Sequence, residues 1–444
     1  MNTGLIAILI VAGVVIGTMK TKKCEPFLIA GSLLGAVVLF GFDFLREWSI
    51  ILENVVSNEA YLILVCILFG SIIALLTASR GNLGFAKLVS KMCNSERKTL
   101  LTTSVLGILV FVDDYLNVLS IGTAMKGVFD KRKIPGEALA FLLGCIGVAI
   151  CTICPFSSWA TYFGAIFFSE ECVKGLGYES AFQTYLHVIG YCIYPIIILL
   201  IVLLFAAGIV PKVGTMKKAF QRIKLEEAAK DAEPKEEASA DGNIWHFLIP
   251  LLSLIVVASI SGNLIFGQVY CLITMLVMYL ATKLMNFDEY WKLMIKGFSD
   301  MLPVITMLIS AMTFQKILKL MSMTDYIIEL TRSFSNARLF PMIAFMITAA
   351  LSFMIASAWG VCSICAPILL QLGASNGANL LLVMAAIASG CALGNHVCFY
   401  CDTAILTAKV SDINNFTLAK AQLPYVLTGA VISAIGFAAL GFVL

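Results

Sequence analysis

Charge is what this sequence has least of. Only 13% of its 444 residues are Asp, Glu, Lys or Arg, three are His, and 60% are hydrophobic. Soluble domains are about a quarter charged and about half apolar, so a water-soluble fold is excluded. Long polar stretches are scarce too: only 211–243, rich in Lys, Glu, Ala and Asp, has the composition of a solvated linker. No basic residue precedes the first apolar run, and Lys20, Lys22 and Lys23 follow it. That order is wrong for a cleaved signal peptide and right for a retained first span. The 14 cysteines lie mostly inside apolar runs rather than in loops, which argues against a secreted disulfide framework. Three C-x-x-C pairs, 151/154, 362/365 and 398/401, lack the flanking ligands of a zinc site and read as small packing residues.

What is present is a series of apolar runs of about 20 residues, the length of a spanning helix. The expected spans are 3–19, 26–44, 60–79, 184–209, 244–262, 266–284, 295–320 and 421–443. An outer loop carrying Arg46, Glu47, Glu53 and Glu59 follows the second, and a basic amphipathic segment covers 80–98. Two stretches do not fit a plain crossing. The arms Thr99–Val112 and Leu116–Val128 are each too short to span, and both outer flanks are basic. The positive-inside rule therefore favours a re-entrant hairpin with Asp113–Asn117 at its tip. A second candidate hairpin is 340–372, around Ser357–Ser363. Two further stretches read as broken spans. One is 135–169, interrupted at Cys154–Trp159, where Pro155 removes a backbone donor. The other is 378–410, interrupted at Gly394–Asp402.

Each half then holds five crossings and one hairpin, an odd count, so the halves face opposite ways and both termini lie outside. About 24 of the 30 Lys and Arg fall on the inner side of this scheme. The fold class expected is an all-α polytopic membrane protein of two inverted repeats, each with a re-entrant hairpin and a broken transmembrane helix. Residues 1–210 are the first repeat, 211–243 a cytoplasmic linker and 244–444 the second repeat. Inverted repeats whose broken helices meet near the midplane are a design of secondary transporters.

Ionisable groups inside a membrane are costly and mark transport paths. Asp113 and Asp114 at the first tip, and Asp402 in the second broken span, are the candidate cation or proton carriers. Asn117, Ser157, Ser158, Ser357, Asn395 and Thr403 offer neutral oxygens, His396 a group that titrates near neutrality, and Trp159 and Trp359 walls for a pocket. A Cys398/His396 hydrolytic dyad is disfavoured, because positions i and i+2 on a helix do not face each other.

Asp113-Asp114-Tyr115-Leu116-Asn117 with Gly122, then Pro155-Phe156-Ser157-Ser158-Trp159, Ser357-Ala358-Trp359-Gly360, and Gly394-x-His396 with Asp402-Thr403 together resemble the NhaC-type sodium/proton antiporter family. The resemblance covers about 80–170 and 295–410. It implies sodium/proton exchange, with Na+ or H+ as coupling ion, no cofactor, and a homodimer in the bacterial cytoplasmic membrane. The chain departs from the family pattern at Asn395, where an Asp is typical, at Cys398 and Cys401 for Ser, at Phe399 for Pro, and in the apolar run Ala140–Gly144 where an Asp is common. Thiols are poorer ligands than hydroxyls for a hard cation. These departures raise the alternative of a proton- or sodium-coupled carrier of a small organic solute: an amino acid, amine or carboxylate. On either reading the partners are membrane lipid and a small cation or solute, not nucleic acid, and the protein is not an enzyme.

Overall fold

The computed structural model describes residues 3–21, 23, 25–58, 60–81, 93–111, 113–230, 242–261, 263–323, 326, 329 and 336–444. Most of the basic segment 80–98, the core of the linker and the polar stretch around Asp325 and Arg332 lie outside them. Among the described residues, seven helices are long and apolar enough to cross a membrane, or eight if one bent pair counts as a single span.

The chain opens with α1 (Thr3–Thr21), α2 (Glu25–Phe40), α3 (Phe44–Asn58) and α4 (Ala60–Ala78). The expected outer loop around Arg46, Glu47 and Glu53 is thus helical. Ile51 and Val55, one turn apart, are its only buried residues, which suffices to seat a surface helix on its neighbours. Next come α5 (Glu96–Leu109) and α6 (Asp114–Lys131), then α7 (Gly136–Ile153), α8 (Ser158–Ser169), α9 (Glu171–Lys174), α10 (Ala181–Ile189), α11 (Ile193–Ala206) and α12 (Gly214–Lys230). The remainder is α13 (Trp245–Ser261), α14 (Leu264–Ala281), α15 (Phe287–Leu320), α16 (Phe340–Ile355), α17 (Ala358–Ser375), α18 (Leu380–Val397), α19 (Asp402–Val410) and α20 (Asn415–Val443).

α5 and α6 form the first hairpin. At ~1.5 Å per residue, α5 is ~21 Å long, short of the ~30 Å hydrocarbon core. Its start is tied to the α12 end of the molecule by the Glu96–Lys212 ion pair. Arg222 reaches Glu137, at the start of α7, at 3.1 Å, and Tyr425 donates to the Pro211 carbonyl at 3.1 Å. The same end therefore holds the mouth of this hairpin and the start of α20. The mouth of the second hairpin, α16–α17, lies at the opposite end. There a Cβ on Gly441, near the end of α20, would run into the Arg338 carbonyl, and one on Gly373 would meet the Phe340 ring at 3.3 Å. The two hairpins enter from opposite ends.

Proline alone does not set the helix breaks, because Pro250, Pro303, Pro367 and Pro424 all sit inside continuous helices. The first break, 154–157, follows Ile153 and restarts at Ser157, whose hydroxyl accepts from the Ala160 N–H at 3.0 Å. The second break occupies only 398–401. Asn395 and His396, expected in the interruption, are still helical. Side-chain amides from α20 make the late break tolerable: Gln422 donates to the His396 carbonyl and Asn415 to the Phe399 carbonyl, which supplies the partners that a helix end lacks.

α4 and α15 cross so closely that a Cβ on Gly70 or on Gly297 would run into the other's carbonyl oxygen. The Ser71 hydroxyl fixes the register by donating to the Met294 carbonyl at 2.9 Å.

Candidate functional site

The site forms where α6, α8 and α19 begin. Asp113 is the N-cap of α6: one carboxylate oxygen accepts from the Tyr115 and Leu116 N–H groups at 3.0 and 3.2 Å. Its other oxygen accepts from the Ser158 hydroxyl at 3.0 Å. Asp114, the first residue of α6, is 1% exposed. Its two oxygens accept from the Trp159 indole N–H at 3.1 Å and from the Thr403 hydroxyl at 2.9 Å. Asp402, the first residue of α19, accepts from the Tyr115 hydroxyl and, at 2.7 Å, from the Thr403 N–H.

Two consequences follow from this bonding. Every carboxylate oxygen of the three acids accepts at least one protein hydrogen bond, and among the described residues every donor is neutral. Each acid also sits within a turn of a helix N-terminus, where the unpaired N–H groups and the helix dipole favour negative charge. Negative charge is thus held by dipoles and neutral donors, an arrangement receptive to a proton or a small cation.

Asp113 faces an open cleft of about 670 Å³, lined also by Tyr61, Phe156, Ser158, Tyr162 and Trp359. Asp114 and Asp402 form the network behind it. Trp159 and Trp359, from opposite halves of the chain, meet edge to face at 6.1 Å between ring centroids. The Tyr162 ring lies 4.5 Å from that of Trp359, and its hydroxyl donates to the Trp359 carbonyl at 3.2 Å. Trp359 is therefore a wall of the cleft, while Trp159 is buried behind it and holds Asp114.

Of the residues singled out in the sequence, Asp113, Asp114, Ser158, Trp159, Trp359, Asp402 and Thr403 come together here. Ser157 lines the cleft, but its hydroxyl caps α8 and donates to the Cys151 carbonyl. Asn117 points away: its amide donates to the carbonyls of Gly107 and Val110 at 2.6 and 2.7 Å, tying the end of α5 to α6. Ser357 caps α17 by accepting from the Gly360 N–H at 3.1 Å and lines a different cavity. The Asn395 side chain meets the Cys401 thiol at 3.6 Å, and His396 Nδ1 shares a 2.7 Å hydrogen bond with the Tyr194 hydroxyl. Both are part of the packing around α18.

Sequence reasoning passed over Tyr115 as a site residue, and Tyr162 altogether. A partly buried tyrosine needs a partner for its hydroxyl, and Tyr115 follows the acid pair directly, so a signal was present. Its partner, Asp402, lies 287 positions away.

A family model described as the Na+/H+ antiporter family matches residues 147–442, about two-thirds of the chain. That range contains Ser158, Trp159, Trp359, Asp402 and Thr403, and begins after Asp113 and Asp114. An uncharacterized protein of Haemophilus influenzae is 25% identical over 469 residues, spanning 96% of this chain and 89% of its own. Among solved structures, Neisseria gonorrhoeae MtrF, described as illuminating a class of antimetabolite efflux pumps, is 14% identical with a TM-score of 0.38, covering 100% of this chain and 96% of that one. The Alcanivorax borkumensis YdaH transporter is 15% identical with a TM-score of 0.34, over 91% of this chain and 90% of that one. At these scores the structural likeness carries no argument. The family match does, and with the many apolar helices it makes this a multi-pass membrane protein: the chain belongs to the Na+/H+ antiporter family.

Proposed function

We propose that this transporter exchanges sodium, or a similar small cation, for protons across the bacterial cytoplasmic membrane. The observation that carries the proposal is the three-acid network of Asp113, Asp114 and Asp402, whose hydrogen-bond donors are all neutral. Buried negative charge that has no cationic partner among the described residues calls for a mobile positive charge. A proton and a metal cation compete for the same oxygens, and that competition couples the two flows. On this reading the halves are inverted repeats, α12 lies in the cytoplasm, both termini lie outside, and α6, α8 and α19 carry the site during alternating access. The working unit is a homodimer without enzymatic activity.

A second reading is favoured by the cleft. About 670 Å³ walled by Tyr61, Phe156, Tyr162 and Trp359 is far more room than a bare cation needs, and suits a small organic solute coupled to protons or sodium.

Proteoliposomes with an internal pH dye and an imposed proton gradient separate the two. Sodium and lithium are added first, then amino acids, amines and carboxylates one at a time. Sodium-driven dissipation that Asp113→Asn, Asp114→Asn or Asp402→Asn abolishes supports the exchanger. No response to sodium or lithium, with protons moved by one organic solute, refutes it in favour of the second reading.

A further inference from the structure

α15 carries Lys316 and Lys319 three positions apart, near one end of a helix long and apolar enough to span a membrane. Like charges at this spacing repel, and lysines near the end of a span extend their ammonium groups toward the interface. Both are exposed and line an open cavity of about 220 Å³, bordered by α3, α15, the end of α16 and the first turns of α17. Among the described residues neither ammonium group has an ion-pair or hydrogen-bond partner, and no acid is in the cavity lining.

The rest of the lining suits the same ligand. Asn54 and Asn58 from α3, and Gln315, bring amide groups. Gln315 also donates to the Ala356 carbonyl at 3.4 Å, which ties the second hairpin tip to α15. Ser357 and Gly360 place the positive end of the α17 dipole at the wall. Trp359, on the same turn, lines the acidic cleft instead. One turn of α17 thus divides a space that favours cations from a space that favours anions.

We propose that this cavity binds a small oxyanion, a carboxylate or phosphate group, held between Lys316 and Lys319. The group comes either from a free anion or from the headgroup of an anionic lipid.

Binding requires no transport, so the test stands apart from the flux assay. The purified full chain in nonionic detergent is titrated with inorganic phosphate and, separately, with acetate at constant ionic strength, and tryptophan fluorescence is followed. Saturable binding is expected, weakened about tenfold by Lys316→Gln or Lys319→Gln and lost in the pair. Lys316→Arg retains binding, and Lys292→Gln, at the far end of α15, leaves it unchanged. If the double variant fails to fold, the single variants decide. If free anions give no saturable signal, nanodiscs of phosphatidylglycerol and of phosphatidylcholine are compared for thermal stabilisation. A lysine-dependent gain in phosphatidylglycerol alone makes the occupant a lipid headgroup. Equal behaviour of the wild type and both single glutamine variants with every probe overturns the proposal.

Discussion

Asn117→Leu should loosen the first hairpin by a predictable amount. α5 ends at Leu109, so its last carbonyls have no helical partner. Asn117 supplies two donors, to Gly107 at 2.6 Å and to Val110 at 2.7 Å. Its own Oδ1 is buried without a partner among the described residues. Leucine keeps much of the volume, strands two carbonyls and removes one stranded oxygen. Each buried unsatisfied group costs about 1–3 kcal/mol, so the net loss is that of one group, about 1–3 kcal/mol. Local opening at the end of α5 then becomes roughly 5- to 150-fold more frequent. Hydrogen exchange read by mass spectrometry on peptides covering 100–111 measures this directly. Asn117→Asp, which turns acceptors toward two carbonyls, should exchange faster still. Unchanged protection in the leucine variant, or an aspartate variant as protected as wild type, refutes the clamp.

Three other outcomes follow. Trp159→Phe keeps a ring against Trp359 but removes the N–H from Asp114; losing a hydrogen bond to a charged group, ~1.5–3 kcal/mol, should weaken apparent cation affinity by at least about tenfold in the flux assay. Thr403→Val, which strips the hydroxyl from Asp114, should impair exchange, whereas Thr403→Ser should retain it; equal impairment in both would show that the methyl group matters instead. Gly297→Ala forces a Cβ into the Gly70 backbone and should lower the thermal midpoint of the purified protein, overpacking costing about 1–3 kcal/mol.

The parts of the fold legible in the sequence were those that charge and length control. Two basic flanks around arms too short to span pointed to the α5–α6 hairpin, and the structure places it within a few residues. The second break was legible only as a region. With no proline in Cys398–Cys401, its position depends on Gln422 and Asn415 reaching back from α20, and a local reading does not contain those contacts. The same limit applies to the site. Asp113, Asp114 and Asp402 stand out because acids are rare in apolar runs. Which neighbours hold them depends on how α6, α8 and α19 meet. Of the two adjacent acids only Asp113 lines the cleft, and it does two jobs, since it also caps the helix by satisfying N–H groups. Ser157 carries the same polar atom as a cation ligand, and only the folded chain shows it taken up by backbone; for Asn117 only the folded chain shows the amide nitrogen turned to two carbonyls of the first hairpin.

The contact of Gly70 with Gly297 limits how the molecule moves. Backbones in contact have no slack: sliding α4 along α15 by about one turn, ~5.4 Å, would bring Cys66 or Ala74 to a point where only a hydrogen fits, and would break the Ser71–Met294 bond. The pair behaves as an axle that neither telescopes nor shears. None of the three acids is on it: Asp113 and Asp114 belong to the first hairpin, and Asp402 to the second broken helix. On the exchange proposed above, this pair stays whole while the acids move, with the strain taken up at the short uncoiled joints of 154–157 and 398–401.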